Sequence, residues 1–400
     1  MKKKVLAKVV SISAICALIL VMAAGCSTAA TGTAAVSPKA PAAEAATSEF
    51  QPVKPPAELA MTYVESPLPV TTSAYAKWKA KKGPYVIGFA NGTMGPTWRA
   101  QSLQDMQDLF NEYKQKGIVS KLIVVNADNN VTTQIAQIND MIAQKVDLIL
   151  INPISETATN PVIEKAFKAG IPVVSFNNFV SSPYAQNVGI NQILFANMMA
   201  QGLVDMLHGK GNIVMMNGIP GQPSSTIREK AANKIFAQYP DIKVIASTSG
   251  NFSDSQAKAA MLNVIATHPQ KIDAVWQSGV MAQGILEALE QSGRPIVPIS
   301  ADGQYNFVQY WHEHPEYKTV GAMDPPTEST LGLRVGLRIL QGQHPLMNLI
   351  INDPPALNAP EMKKYFKPNQ PPTSWVDPSP TDYMTEEKLN SYFENGKPIE

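Results

Sequence analysis

Residues 122–178 constrain the fold more than any other part of the chain, because short apolar runs alternate there with amphipathic segments and each run ends in polar residues. The runs read Leu122-Ile-Val-Val-Asn126, Asp147-Leu-Ile-Leu-Ile-Asn152 and Ile171-Pro-Val-Val-Ser-Phe-Asn177-Asn178, with a helical pattern over 132–144 between the first two. Runs of this length with no polar alternation read as strands buried on both faces, which is the signature of a parallel sheet with helical crossovers. Ligands of such sheets bind beyond the carboxyl ends of the strands. At those ends stand Asn126, Asp128, Asn129, Asn152, Asn177 and Asn178, a mostly neutral, hydrogen-bonding surface.

The alternation continues. Strand candidates begin at Tyr85, Lys121, Asp147, Ile171 and Asn187, and a second set begins at Asn212, Ile242, Ile272 and Ile296. Helical patterns over 100–113, 190–207 and 281–291 separate some of them, with Gly170 and the Gly293-Arg-Pro295 turn as helix stops. Two doubly wound α/β domains are expected.

The amino terminus indicates where these domains work. Lys2, Lys3, Lys4 and Lys8 precede an apolar run over 9–24, which ends in Ala23-Ala24-Gly25-Cys26. A basic start, a short apolar core and small residues before a cleavage point make an export signal. The ending resembles a bacterial lipobox, with Ala23 where leucine is usual, and the resemblance implies lipidation at Cys26; plain secretion and a retained anchor helix are the alternatives. The chain has two cysteines, Cys16 inside the signal and Cys26 at its end, so a processed lipoprotein holds no disulfide, thiolate metal site or cysteine nucleophile. A net charge of +1 offers nothing to nucleic acid.

Small residues and prolines after Cys26 read as a flexible tether over 26–82, in which Tyr75-Ala-Lys-Trp78 is a candidate short helix against the body. Beyond Asn352 the chain is rich in proline again and reads as an extended tail wrapping the body, with Phe366 and Trp375 as apolar anchors. His312-Glu-His314 lacks a third metal ligand, and Gly218-Ile-Pro-Gly221 lacks the Gly-Lys-Ser/Thr ending of a phosphate loop. With no nucleophile elbow either, the expectation is a protein that is not an enzyme and uses no cofactor or metal.

Several phrases in order carry a family resemblance: Tyr85-Val-Ile-Gly-Phe-Ala, Asp128-Asn-Asn, the run from Gln134 to Gln144, Asp147-Leu-Ile-Leu-Ile-Asn-Pro, Gly170-Ile-Pro-Val-Val, Thr267-His-Pro, Asp273-Ala-Val-Trp and Ser300-Ala-Asp-Gly. Over residues 84–342 the chain is similar to type I periplasmic sugar-binding proteins of ABC importers, the ribose-binding kind. The resemblance implies two similar α/β lobes with parallel sheets, joined by a three-segment hinge near Asn191, Met323 and 345–352. It puts residues 83–190 and 323–345 in the first lobe and 191–322 with about 346–400 in the second, after a signal over 1–25. It implies an extracytoplasmic, lipid-anchored monomer that closes on a sugar or sugar-like small molecule and delivers it to a membrane permease. A ligand-sensing receptor subunit that presents the closed form to a membrane sensor is the alternative.

Carried over position by position, the resemblance implies ligand contacts from Thr97 and Trp98, where the family has an aromatic pair, and from Asn177 and Asn178, where it has an acid and an arginine. In the second lobe it implies Arg228, Phe252, Ser278 and Asp302, with Asn91 and Met94 as candidate lining residues and Met323 at the position of the usual hinge glutamine. The surviving set suits a neutral polyol, since aromatic faces cover C–H surface and Asp302 and Arg228 accept and donate to hydroxyls. Each residue also has a plainer role open to it: core packing for Trp98 and Phe252, helix capping for Asn178 and Asp302, solvation for Arg228. Trp276, inside an apolar strand, reads as core.

Overall fold

The computed structural model describes residues 66–376, 378–379 and 383–400. Cys26, the signal segment and the first part of the expected tether lie outside the described residues. The first sheet is built from β1 (Tyr85–Asn91), β2 (Val119–Asn126), β3 (Leu148–Asn152), β4 (Val173–Phe176), β5 (Ala185–Ile190) and β10 (Leu349–Asn352), in the order β10-β5-β4-β3-β1-β2 and parallel throughout. Helices cover both faces. α1 (Thr97–Gln115) and α9 (Glu328–Leu340) pack together, with α9 lying across β3, β4 and β5, while α2 (Val131–Ala143) packs on β1 and on α3 (Asn160–Lys168). This double cover is why all five residues of β3 are buried and carry no polar alternation. The Asn130 side chain accepts from Thr133 N at 3.0 Å and starts α2 where the strand ends.

The second lobe repeats the plan on a smaller scale. β6 (Gly211–Asn217), β7 (Ile242–Ser249) and β8 (Ala274–Gln277) form a parallel sheet in the order β7-β6-β8. α4 (Gln192–Met206) and α5 (Pro223–Phe236) pack against each other, as do α6 (Asp254–Thr267) and α7 (Ala282–Gln291). The strand expected from Ile296 is reduced to parallel bridges, Val275 with Ile299 and Ala301 with Gly321. Pro298 supplies only a carbonyl there, accepting from Val275 N at 2.9 Å, and cannot extend a ladder as a donor.

The lobes are joined where the chain leaves β5 at Asn191, where it returns after β9 (Gly321–Ala322), and between β10 and β11 (Ala356–Leu357). Cross-links hold these segments side by side: Asn191 N donates to Asn352 O at 2.7 Å and Met323 N to Pro355 O at 2.8 Å.

Two expected boundaries are corrected. Residues 66–82 are not tether: Tyr75 is fully buried, its hydroxyl accepts from Val173 N at 2.8 Å and donates to Tyr184 O at 2.5 Å, and Trp78 packs edge-on against it. The short-helix motif is an anchor for the amino-terminal arm. Residues 346–400 do not all belong to the second lobe. β10 pairs with β5 in the first sheet, β11 then pairs with β9, and α10 (Ala359–Tyr365) packs on α8 (Tyr305–Glu313) of the second lobe, where Phe366 stacks on Tyr305. The chain finally returns to the first lobe. Glu386, opening α11 (Glu386–Ser391), pairs with Arg334 and, at 2.6 Å, with Arg338 of α9, and Leu346 N donates to Tyr392 O at 2.9 Å.

The Arg338 side chain is completely enclosed, so its charge depends on Glu386, Asn390 and Gln343. Glu386→Ala leaves that guanidinium without its carboxylate and should cost about 1–3 kcal/mol, allowing for the half-exposed position of Glu386. A fall of several degrees in the thermal midpoint checks this; an unchanged midpoint would show that the carboxyl-terminal segment is not held by the pair.

Candidate functional site

The carboxyl ends of both sheets point at one another, and the loops that follow the strands enclose a cavity between the lobes. It has about 400 Å³ of space free of protein atoms, part of it open to solvent. From the first lobe Pro96 at the end of the β1–α1 loop and Trp98 and Arg99 in the first turn of α1 line it, and the turn after β4 contributes Asn177. The second lobe contributes Gln222, Ser224 and Arg228 at the start of α5, Phe252 before α6, Gly279 and Val280 before α7, and Asp302. Asp324, on the crossing after β9, and Trp375, from the proline-rich tail, complete the wall.

A charge network sits at the back of this cavity. Arg228 donates from Nε to Gln192 Oε1 at 2.7 Å, from Nη1 to Ser278 O at 2.6 Å and from Nη2 to the Asp324 carboxylate, and its guanidinium lies 4.0 Å from the Phe195 ring centroid. One N–H on each terminal nitrogen is left over. Asn177 donates to both oxygens of Asp324, at 3.2 and 3.1 Å, and to Glu328 Oε2 at 3.1 Å; Glu328 Oε1 accepts from Ile190 N at 2.6 Å. Trp98 Nε1 donates to Asp324 O at 2.7 Å, which fixes the indole. Burial, reinforced by the neighbouring Asp324 charge, holds the Glu328 carboxyl well above the usual range. Burial likewise lowers Arg99 to about 9 against the pull of Asp324. The formal charges of Arg99, Arg228, Asp302 and Asp324 cancel, so the wall is polar without favouring an ion of either sign.

Asp302 is presented by a tight turn. Its oxygens accept from Val280 N and, at 3.1 Å, from Gln304 N, leaving each oxygen able to accept again. Burial raises its carboxyl to about 6. The turn opposite it needs Gly279, whose φ is +122° and where a Cβ would come within 2.9 Å of Arg228 Nη1. Asn177, Phe252 and Val280 also have positive φ, at 62°, 53° and 63°. For a bulky and a β-branched residue that backbone is uncommon, and such strain gathers where loops are shaped around a ligand.

Of the ligand contacts implied by the family resemblance, Trp98, Asn177, Arg228, Phe252 and Asp302 face the cavity. The others stand behind it. Asn178 is fully buried, with its amide on Asn152 Oδ1 at 3.0 Å and Pro153 O at 3.2 Å, while its oxygen accepts from Ser224 N at 3.0 Å. It therefore caps a helix of the opposite lobe. Asn91 positions Arg99, accepting from its Nη1 at 3.1 Å, and its amide contacts the Met94 sulfur at 2.9 Å. Ser278 supplies its carbonyl to Arg228, and Thr97 sits outside the wall at the start of α1; their hydroxyls have no partner among the described residues. Met323 is core, and the next residue, Asp324, is the one that faces the cavity. Trp276 is core as expected. Arg99, Gln222, Ser224 and Asp324 were not picked out by the sequence, and Trp375, expected as an apolar anchor of the tail and packed against the core as such, also lines the cavity. Among the described residues no group of three metal-ligating side chains occurs.

Comparison with known proteins places this geometry. The family described as periplasmic binding protein domain matches residues 87–344. A xylitol-binding protein of Mycolicibacterium smegmatis is 33% identical over 206 residues, which cover 50% of this chain and 59% of that protein. The ribose import binding protein of Bacillus subtilis is 30% identical over 224 residues, 56% of this chain and 71% of that one. Among solved structures, an ABC transporter solute binding protein from Thermobispora bispora superposes with a TM-score of 0.71 at 26% identity, covering 79% of this chain and 99% of that one. A periplasmic solute binding protein from Actinobacillus succinogenes with bound D-allose gives 0.60 at 25% identity, covering 70% and 100%.

The enclosed Asp302 generates a pH dependence with a definite sign. Its folded value, about 6, lies above the unfolded carboxyl value near 4, so its contribution is fully present below about pH 4 and is lost as pH rises through about 6. The amount is up to about 3 kcal/mol. As pH rises from about 4 to about 7, the melting temperature of the unliganded, unsubstituted protein should therefore fall relative to that of Asp302→Ala. A difference that is flat across that window would mean that Asp302 is not enclosed in the unliganded state.

Proposed function

We propose, for a chain that belongs to the periplasmic binding protein domain family, that it captures a neutral sugar or sugar-like polyol between its lobes and hands it to an ABC import permease. The observation that carries this reading is the cavity wall: spare acceptors on Asp302, spare donors on Arg228, the faces of Trp98 and Phe252, and cancelling charges. Hydroxyl groups need both kinds of hydrogen-bond partner, and the C–H faces of a sugar ring or chain need apolar cover. Closure of the lobes brings the two halves of this wall together, and the closed form is the state a permease would dock. The named ligands of relatives, xylitol, ribose and D-allose, define the chemistry to test first.

A ligand held between the lobes binds the native state only, so at a hundredfold excess over its dissociation constant it adds about 2.7 kcal/mol. A thermal-shift panel of xylitol, D-ribose, L-arabinose, D-allose and myo-inositol should raise the midpoint with at least one compound. Asp302→Ala should then weaken that compound about ten- to a hundredfold, the loss of a hydrogen bond to a charged acceptor. No shift across the panel would sink the polyol reading.

The Ala-Ala-Gly-Cys ending supports an extracytoplasmic protein anchored by lipid at Cys26. Cys26→Ala should move the protein from the membrane fraction to the soluble one. Membrane retention with an unmodified amino terminus would contradict the anchor.

A further inference from the structure

The proline-rich tail does more than cover the body. Tyr305 N donates to Ser374 O at 3.0 Å, Val376 N to Gly303 O at 2.7 Å, and Trp375 bridges antiparallel to Gln304. The tail therefore lies along the turn that presents Asp302 to the cavity. Gly303 makes this approach feasible: a Cβ there would stand 2.4 Å from Val376 O and 3.2 Å from Trp375 Cε3. The result is a third aromatic side chain on the cavity wall, next to Asp302 and from a different part of the chain than Trp98 and Phe252. Its indole nitrogen is buried and has no hydrogen-bond partner among the described residues. A buried N–H without an acceptor is unfavourable, and one at a ligand cavity is relieved when a ligand oxygen arrives. The tail is also held on the far side of the cleft, where the Tyr383 hydroxyl meets Thr327 Oγ1 at 3.1 Å and Glu386 pairs with Arg334 and Arg338. Trp375 is thus positioned between anchors on both lobes.

We infer that Trp375 is a ligand-contacting residue that sets specificity, supplied to the cleft by the carboxyl-terminal tail. Its ring covers a C–H face of the ligand and its Nε1–H donates to a ligand oxygen. This rests on the polyol reading proposed above.

The test is calorimetric titration of the full chain with xylitol, D-ribose, L-arabinose, D-allose and myo-inositol, which reports dissociation constant and active fraction separately. Trp375→Ala should weaken the compound bound best by the unsubstituted protein about tenfold or more, through lost ring cover and the lost donor. Trp375→Phe keeps a ring and removes only the N–H, and should weaken it about three- to tenfold with the unliganded melting midpoint nearly unchanged. The phenylalanine variant keeps the test open if the alanine variant folds poorly. Dissociation constants equal to that of the unsubstituted protein in both variants, with only the active fraction reduced, would make Trp375 a packing anchor and overturn the inference. An unsubstituted protein that binds none of the five compounds would instead overturn the polyol reading, and the inference with it.

Discussion

The buried carboxylate of Asp324 is where the parts of this molecule meet. It sits on a segment that crosses between the lobes, accepts from Asn177 of the first lobe, and pairs with Arg228 from the second. A charge taken out of water is tolerated only with a partner and with its remaining hydrogen bonds filled, and here the two lobes meet those conditions jointly. Arg228 is in turn fixed by Gln192, by Ser278 O and by the Phe195 face. Glu328 lies against the same network and is kept towards its neutral form by burial and by Asp324. The network therefore couples lobe closure to the wall of the cavity, because the groups that close the cleft are also those whose leftover donors face its interior.

Closure has a second set of contacts. Asn178 accepts from Ser224 N at the first turn of a helix in the opposite lobe, so an unfilled helix-terminal N–H is satisfied only across the cleft. The proline-rich segment adds another connection, running from Gly303 on the second lobe to Arg334 and Arg338 on the first. The hinge of three crossings is thus supplemented by a segment that also reaches the ligand cavity.

The alternating sheets were legible because burial on both faces leaves a plain mark, the unbroken apolar run, as in Leu148–Asn152. The same logic failed around Ile296, where Pro298 cannot donate to a ladder and only bridges form. Site residues at strand ends were legible to within one position. Asn177 and Asn178 are chemically identical, and only the left-handed backbone at Asn177 decides that one faces the cavity and the other turns back into the first lobe. Met323 and Asp324 differ by the same single step. Trp375 was legible as an apolar anchor but not as part of the cavity wall, because a proline-rich segment has no periodicity to say which side it presents; its position depends on a close approach at Gly303. The buried arm at Tyr75 was partly hidden for the same reason, with only its aromatic pair standing out.

The wall between the lobes, with hydroxyl-binding groups and aromatic faces, suits a neutral polyhydroxylated molecule, and that fit is open to direct measurement. Native mass spectrometry of the protein, purified gently and without added sugar, tests it most directly, since a ligand enclosed by two lobes leaves slowly. The expected spectrum contains a one-to-one adduct with the mass of a pentose, hexose, pentitol or cyclitol, which disappears on denaturation. An adduct with the mass of an amino acid, a peptide or an organic acid in its place would contradict a neutral polyol as the ligand.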